Sequence, residues 1–282
     1  MTQEIQTYES RERARAARWK ANSATLPEAA RFAAPWEHDG NSSRRTYEFC
    51  LPRDYAALNL LPEVRDQARL LFAELGIPWH QGIAGGPGNH LLSSQVQCAN
   101  ALGQMIDDPD RIGRAFGQVI DVGELLEIEP GRFLTFEFIG DTDYFNESPN
   151  EPRVRGSKCT SIDAAFTHRL PNGVIELVLI EWKYTEKYAP RRIDPTNDAV
   201  RWGRYGSTWS APDSPVRTDL VSFDTLLAEP FYQLMRQQLL AWRIENDPAQ
   251  DAGRVKVVHV HSPANDAYQH SIYTPALAAL GD

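Results

Sequence analysis

The segment NGVIELVLIEWKYTEK, Asn172 to Lys187, contains a strongly apolar run that ends on charged residues. Five of the six residues from Leu177 to Trp182 are apolar, which is typical of a strand buried on both faces. Glu181 and Lys183 nevertheless stand at its downstream end with one residue between them. Because side chains alternate along a strand, these two charges point to the same face. Charged groups in such a place need a partner or a function.

The preceding segment, TSIDAAFTHRL (Thr160–Leu170), predicts the strand that pairs with this one. The two are joined by Pro171–Gly173, a suitable three-residue hairpin loop with glycine at the left-handed position. If the residues that flank the loop pair, Asp163 stands directly opposite Glu181. Directly opposite residues share a face, and Lys183 shares it too. The sequence therefore predicts that an aspartate, a glutamate and a lysine meet at one end of a sheet.

Such a cluster is suited to the hydrolysis of phosphodiesters. Two carboxylates close together in a poorly solvated place repel each other, and a divalent cation between them relieves the repulsion. A lysine beside the pair can hold and polarise water and offset negative charge on a phosphate. The alternative interpretation is a buried ion pair at a strand end, with no catalytic role.

Apolar periodicity and turn residues predict further elements on both sides of the hairpin. These are a helix from Leu61 with Pro62 in its first turn and Gly76 as its stop, a largely buried helix over residues 90–105, a strand over residues 132–140, an amphipathic helix over residues 229–246 and a final strand over residues 254–263. Because that last helix joins two strands as a crossover, the strands should be parallel and close neighbours. We therefore predict a single α/β domain with a mixed sheet and helices on its faces.

Two polar segments complete the chain. Residues 10–20 favour a solvated helical arm. Thr185 to Ala228 is much longer than an ordinary loop, which indicates a functional insertion or a partly disordered segment. It contains arginines with aromatic rings between them, and four of these make a candidate surface for phosphates and bases: Arg191, Arg192, Arg201 and Arg204. A solvated charge run is the alternative.

Composition limits the function classes. The three cysteines are widely spaced and odd in number, so they form neither a disulfide framework nor a zinc pattern. No apolar run suits a signal peptide or a membrane-spanning helix, and we expect a cytoplasmic protein. A net charge of −9 argues against general attraction to a polyanion, so nucleic acid would need a local basic patch.

Three phrases in order, LLSSQVQCANALG, TSIDAAF and LVLIEWKYTE, followed by FYQLMRQQLLAWRIE and VKVVHVHSP, resemble the PD-(D/E)XK nuclease superfamily. More narrowly, they resemble a bacterial family classed as restriction endonucleases. The resemblance covers about residues 45–265 and implies a restriction-endonuclease-like three-layer α/β/α fold. It divides the chain into an N-terminal arm or helical extension (1–45) and a nuclease-like domain (46–282).

The resemblance also implies roles for individual residues. Asp163 and Glu181 would bind a Mg²⁺ ion, for which Mn²⁺ can substitute, with the backbone carbonyl of Trp182 as a further ligand. Lys183 would position the attacking water. Ile162 precedes Asp163 where the superfamily often has proline, a tolerated departure.

A second departure concerns an acidic residue that many members carry on the helix before the sheet. Here that helix offers Gln95, which would have to bind through its amide oxygen. Glu137 on the first strand is the other candidate, and we prefer it because Leu134, Phe136 and Phe138 should occupy one face and leave Glu137 on the other.

Two glutamines are candidate accessory groups, and two histidines are candidate zinc ligands. Gln233 and Gln237 lie one helical turn apart and either face the site or form an exposed polar face. His259 and His261 share a face of the last strand, but no third zinc ligand accompanies them.

The sequence therefore predicts a Mg²⁺-dependent endonuclease that acts on nucleic acid, with DNA as the expected substrate. RNA and branched or damaged DNA are the rival substrates, and restriction, repair and phage defence are all open as the biological setting. A catalytically silent nucleic-acid-binding or regulatory module of the same fold is the alternative function, and a homodimer is left open.

Overall fold

The computed structural model describes residues 6–188 and 194–272. Its helices are α1 (Tyr8–Asn22), α2 (Pro62–Glu74), α3 (Ser94–Leu102), α4 (Pro109–Phe116), α5 (Pro195–Trp209), α6 (Phe231–Glu245) and α7 (Asp266–Ile272). Its strands are β1 (Ala34–His38), β2 (Asn41–Tyr47), β3 (Glu124–Leu126), β4 (Leu134–Phe138), β5 (Ile162–Arg169), β6 (Ile175–Lys183) and β7 (Arg254–His261). Short 3₁₀ turns cover Glu28–Arg31, Arg53–Asn59, Gly103–Met105 and Asp224–Leu227. Among the described residues, no helix is both long and apolar enough to cross a membrane.

In the described part of the chain, five strands form a mixed sheet in which β5 pairs with β6 and β6 with β7, while β3 and β4 share the other edge of β5. The predicted hairpin register is confirmed. Leu170 N donates to the Val174 carbonyl at 2.8 Å, and Ala164 pairs with Ile180. Extending that register by one residue places Asp163 beside Glu181.

The predicted crossover is also confirmed. Helix α6 connects β6 to β7, and the two strands are parallel neighbours. The register sets Glu181 next to His259 and Lys183 next to His261. The strand that ends on Glu181 and Lys183 is therefore central, with hydrogen-bonded strands on both sides.

Two hydrophobic clusters cover the two faces of the sheet, which confirms the three-layer α/β/α architecture. Val178 and Ile180 of β6 pack with α2, α3 and α4, whereas Leu177 and Leu179 pack with α5 and α6. Fully burying each such side chain contributes about 1.5–3 kcal/mol. Continuing the alternation turns Glu181 and Lys183 toward α6.

Strand β4 differs from the prediction. Leu134 and Phe136 pack in the cluster with α2 and α3, but Phe138 packs against the opposite cluster. The alternation breaks at Glu137, whose φ is 49°, a left-handed conformation that is uncommon for a residue other than glycine. The three apolar residues therefore do not share one face of the sheet. The left-handed conformation at Glu137 determines the direction of its side chain.

The long polar segment after β6 contains a fifteen-residue helix, α5, which the sequence analysis missed. Its start carries an ordinary N-terminal pattern, since the Asp194 side chain caps Asn197 N and Pro195 follows. Tyr205 and Trp209 pack into the cluster with α6. The segment therefore contributes to the core. Arg191 and Arg192 lie outside the described residues.

The N-terminal segment folds onto the rest of the protein. Tyr8 and Lys20 of α1 are buried, and Lys20 Nζ donates to the carbonyls of Phe32 and Cys50 at 2.9 and 2.8 Å. A two-stranded hairpin, β1–β2, follows, with Asp39 and Gly40 as its turn. The division of the chain at residue 45 stays a prediction.

Candidate active site

A cleft of about 480 Å³ lies where β6 ends. Its walls come from the ends of β4, β5 and β6, from α3 and α6, and from β1 with the loop before α3. The lining includes Trp36, His80, Gln81, His90, Ser93, Ser94, Gln95, Glu137, Asp163, Glu181, Trp182, Lys183, Thr185, Glu186 and Gln233. All three residues of the predicted cluster, Asp163, Glu181 and Lys183, therefore line one cavity.

Asp163 and Glu181 form a hydrogen-bonded carboxyl pair. Asp163 Oδ2 also accepts a hydrogen bond from Trp182 N at 2.7 Å. This bond replaces a backbone–backbone hydrogen bond at the end of the hairpin. Burial and the charge of Glu181 raise the pKa of Asp163 well above its usual range. The pair therefore holds a proton in the absence of a cation, as expected for two carboxyl groups in a poorly solvated place.

Lys183 lies against the other side of Glu181. Its Nζ is 2.6 Å from Glu181 Oε1 and donates to Gln233 Oε1 at 2.6 Å. Burial alone would lower the pKa of Lys183, but the neighbouring Glu181 carboxylate outweighs it, and the pKa is raised. Lys183 is therefore a protonated cation, and it lies at the cleft with 7% of its side chain exposed.

The two glutamines of α6 hold Glu181 from the helix side. Gln233 Nε2 donates to Glu181 Oε1 at 2.7 Å, and Gln237 Nε2 donates to Glu181 Oε2. Gln237 is 1% exposed. The structure thus excludes the exposed polar face that was the alternative for these glutamines, and the i, i+4 spacing places both donors over one carboxylate.

Gln95 supports Glu137. Its Nε2 donates to Glu137 Oε1 at 2.8 Å and to the Pro78 carbonyl at 3.2 Å, while its Oε1 accepts from His80 N at 2.8 Å. A backbone N–H can only donate and a carbonyl can only accept, so these partners determine the orientation of the amide. The amide oxygen of Gln95 consequently faces the backbone of His80.

Glu137 lies across from Asp163, since Phe136 pairs with Ala164 and Phe138 with Ile162. Burial, followed by the charge of Asp163, raises the pKa of Glu137 to about 7. A third carboxyl group therefore belongs to the same electrostatic environment. Even so, no three His, Cys, Asp or Glu side chains converge closely enough to hold a metal ion in residues 6–188 and 194–272.

Two contacts at the site were not expected from the sequence. The carbonyl of Trp182 accepts a hydrogen bond from Ser94 Oγ at 3.3 Å, and Lys183 also bonds to the Tyr188 side chain. Ser94 lies in LLSSQVQCANALG, one of the phrases that carry the resemblance, and directly precedes Gln95. No pattern in the sequence indicates Tyr188, which follows the strand by five residues.

The histidines of β7 have an aromatic neighbour. His259 Nε2 is 2.9 Å from Tyr268 Oη. Burial, followed by the charge of Lys183, lowers the pKa of His259 to about 4. A neutral imidazole beside Lys183 adds no second positive charge there.

The two arginines of α5 do not line the cleft. Arg201 pairs with Asp198 at 3.1 Å, and its guanidinium lies 4.4 Å from the centre of the Tyr232 ring. Arg204 is half-buried on the same helix. Contact of these two residues with nucleic acid stays a prediction, as does that of Arg191 and Arg192.

The sheet, its two helical layers and the acidic cleft define an α/β protein of the restriction-endonuclease-like class. A family model described as "Restriction Endonuclease associating with ARP" matches residues 12–280, and the chain belongs to this family. No curated protein matches the chain, and no solved structure does.

Proposed function

We propose that this protein is a Mg²⁺-dependent endonuclease that hydrolyses phosphodiester bonds, with DNA as the expected substrate. The observation that carries the proposal is the cluster of Asp163, Glu181 and Lys183 at one cleft in a chain of a restriction endonuclease family. Two hydrogen-bonded carboxyl groups with a buried lysine are costly to fold, so their presence at a cavity favours a chemical role.

The residues at the cleft suit a hard divalent cation. Carboxylate and carbonyl oxygens are the ligands that Mg²⁺ takes in proteins. Asp163, Glu181 and the Trp182 carbonyl would hold the ion. Glu137 is the candidate for an additional carboxylate, and it would have to move toward the ion, because no three such side chains already converge in the described residues. Gln95 is the weaker choice because its amide oxygen already accepts from His80 N. The excess negative charge that keeps a proton on the carboxyl pair is the charge that a cation would neutralise.

When bound, Mg²⁺ would supply Lewis acidity and lower the pKa of water. Lys183 would orient the attacking water and offset charge that develops on the phosphate. Gln233 and Tyr188 keep the ammonium group in place. Asp163 must lose its shared proton before both carboxylates are available to the ion.

A silent module has one observation in its favour. Both oxygens of Glu181 already accept hydrogen bonds from Gln233 and Gln237, and Lys183 is bonded to the same carboxylate. A cation would have to take a lone pair that these donors leave open, or displace one of them. A protein that binds nucleic acid without cleaving it would keep all of these bonds.

A cleavage assay on duplex DNA distinguishes the two functions. The full-length protein is first freed of metal with EDTA and is then supplied with Mg²⁺. We expect Mg²⁺-dependent cleavage, reduced by about a hundred-fold or more in Asp163→Asn and in Glu181→Gln. Asp219→Asn is the matched control, because this exposed acid pairs with Arg217 and does not line the cleft. Undiminished cleavage by Asp163→Asn would place the active centre elsewhere. Binding of nucleic acid without any cleavage of DNA or RNA would establish the silent module.

A further inference from the structure

The hairpin β1–β2 contains a bulge at Trp36, a residue that lines the active-site cleft. Pro35 pairs with Thr46 and Glu37 with Ser42, so Trp36 alone stands against the three residues Ser43–Arg45. The Ser43 hydroxyl stabilises this bulge, since it accepts from Trp36 N at 3.0 Å and donates to the Arg45 carbonyl at 2.6 Å. Bulges often redirect side chains near functional sites. Here the extra residues are two consecutive arginines.

Both arginines of the bulge are exposed, and neither has an ion-pair partner among residues 6–188 and 194–272. The guanidinium of Arg45 lies 5.9 Å from the centre of the Tyr47 ring. Arg53 pairs with both acids of the hairpin, with Glu37 at 3.5 Å and with Asp39 at 2.9 Å, and so offsets one of their two negative charges. The bulge therefore concentrates positive charge on a protein whose net charge is −9.

The bulge adjoins the cleft that contains Asp163 and Glu181 through Trp36, whereas Ser43, Arg44 and Arg45 do not themselves line it. Trp36, which the bulge faces, lines that cleft together with His90, and the two ring centres are 4.7 Å apart. The cations of the hairpin consequently lie on an element that borders the candidate active site. Helix α5, which carries Arg201 and Arg204, contributes no residue to the described lining.

We infer that the β1–β2 hairpin binds the backbone of duplex DNA, with Arg44 and Arg45 contacting phosphates beside the bond to be cleaved. This inference rests on the proposed function and adds the surface that holds the substrate. Two-stranded antiparallel ribbons fit against duplex DNA, and arginine is well suited to phosphate.

The composition of β2 favours nucleic acid over a protein partner. Its exposed positions carry Asn41, Ser42, Arg44, Arg45 and Thr46, with no exposed large apolar side chain among them. The centre of a protein–protein interface is enriched in aromatic and apolar groups, whereas DNA-binding surfaces are polar and positive.

The test compares the full-length double variant Arg44→Gln/Arg45→Gln with the parent. Binding to a duplex oligonucleotide is measured against salt concentration, with Ca²⁺ in place of Mg²⁺. Each lost phosphate contact should remove about 0.9 from the slope of log K against log salt, so the variant should flatten it by about two units. Arg69→Gln/Arg114→Gln is the control, because it removes the same charge from α2 and α4, which do not line the cleft.

A slope equal to that of the parent, or the same flattening in the control pair, overturns the inference. An effect on single strands alone, about 0.7 per contact, overturns the assignment to duplex DNA. A parent that binds no nucleic acid overturns it as well. Cleavage in Mg²⁺ is read separately. If the parent binds through these arginines but never cleaves, only the proposed enzymatic function fails. If the parent cleaves while the double variant has the same salt slope as the parent, only this inference fails.

Discussion

Glu137 couples the stability of the protein to pH. Its pKa is about 7 in the folded chain, compared with about 4.3 for glutamate in an unfolded chain. Because the folded pKa is raised, the folded state carries no penalty at low pH. It is destabilised progressively as the pH rises from about 4 to about 7. Above about pH 7 this destabilisation of the folded state has reached its full size.

We therefore expect Glu137→Gln to unfold less readily than the parent above pH 7, by about 3–4 kcal/mol, with the difference shrinking toward pH 4. The glutamine retains an oxygen to accept from Gln95. Urea unfolding of both proteins in EDTA at several pH values measures this. Glu124→Gln, at an exposed carboxyl group, should show no such trend. A pH-independent difference would mean that the pKa of Glu137 is the same in the folded and the unfolded chain.

Lys183 should matter to cleavage far more than to binding. Lys183→Ala removes the cation beside Glu181 while both α6 glutamines still donate to that carboxylate. We expect the cleavage rate to fall by about a hundred-fold while DNA binding in Ca²⁺ is retained, because catalytic interactions act mainly on the transition state. Lys187→Ala is the matched control, since that exposed lysine pairs with Glu9. Normal cleavage by a folded Lys183→Ala would exclude the role in positioning water.

At this scale the sequence predicted which residues meet but not how they are oriented. The loop length and the strand period were enough to place Asp163 beside Glu181. Once a hairpin is recognised, its pairing register follows from counting residues outward from the loop. The position of Glu137 depends on a left-handed backbone conformation, which cannot be predicted from the residue type. The orientation of Gln95 depended on the backbone of His80, which comes from a distant loop.

Among the elements, α6 has a direct role in the candidate site. Gln237 is buried and donates to Glu181 Oε2, so Gln237→Met would leave a buried carboxylate oxygen without its donor. We expect a loss of about 1–3 kcal/mol in the free energy of unfolding, together with weaker cleavage. Gln238→Met, one residue further along the same helix at an exposed position, should leave both nearly unchanged. Equal effects of the two substitutions in urea unfolding would show that the glutamine bond contributes nothing.

The elements predicted from apolar content and turn residues, and present in the structure, are α2, α3, β4, β5, β6, α6 and β7. Two missed elements had local sequence features that could have indicated them. Helix α5 begins with Asp194 followed by Pro195, a cap and first-turn pair, but its polar composition concealed it. The β1–β2 hairpin turns at Asp39–Gly40, a favoured two-residue turn, but its strands are too polar to show an alternating pattern.

For the molecule as a whole, a divalent cation should act as a stabilising ligand. A cation that binds only the folded state adds about 2.7 kcal/mol to the free energy of unfolding at a hundred times its Kd. Because Asp163 and Glu181 hold a proton without the ion, binding must displace it, and affinity should rise with pH.

Thermal unfolding with and without Ca²⁺, at about pH 6 and about pH 8, measures this linkage. We expect a larger rise in Tm at the higher pH, and no rise in Asp163→Asn. Asp219→Asn should respond as the parent does. A rise in Tm that is identical in Asp163→Asn would assign the stabilising ion to another site.

Because β6 lies in the centre of the sheet, the candidate site is assembled from segments that are synthesised at different times. Glu181 meets donors from α6, while the next residue, Trp182, faces α3 and donates to Gln97. A growing chain that has completed β6 but not α6 therefore contains the acidic pair without Gln233 and Gln237. Only a chain that extends through α6 has both donors, so under the proposed function a chain that ends before α6 should not cleave nucleic acid.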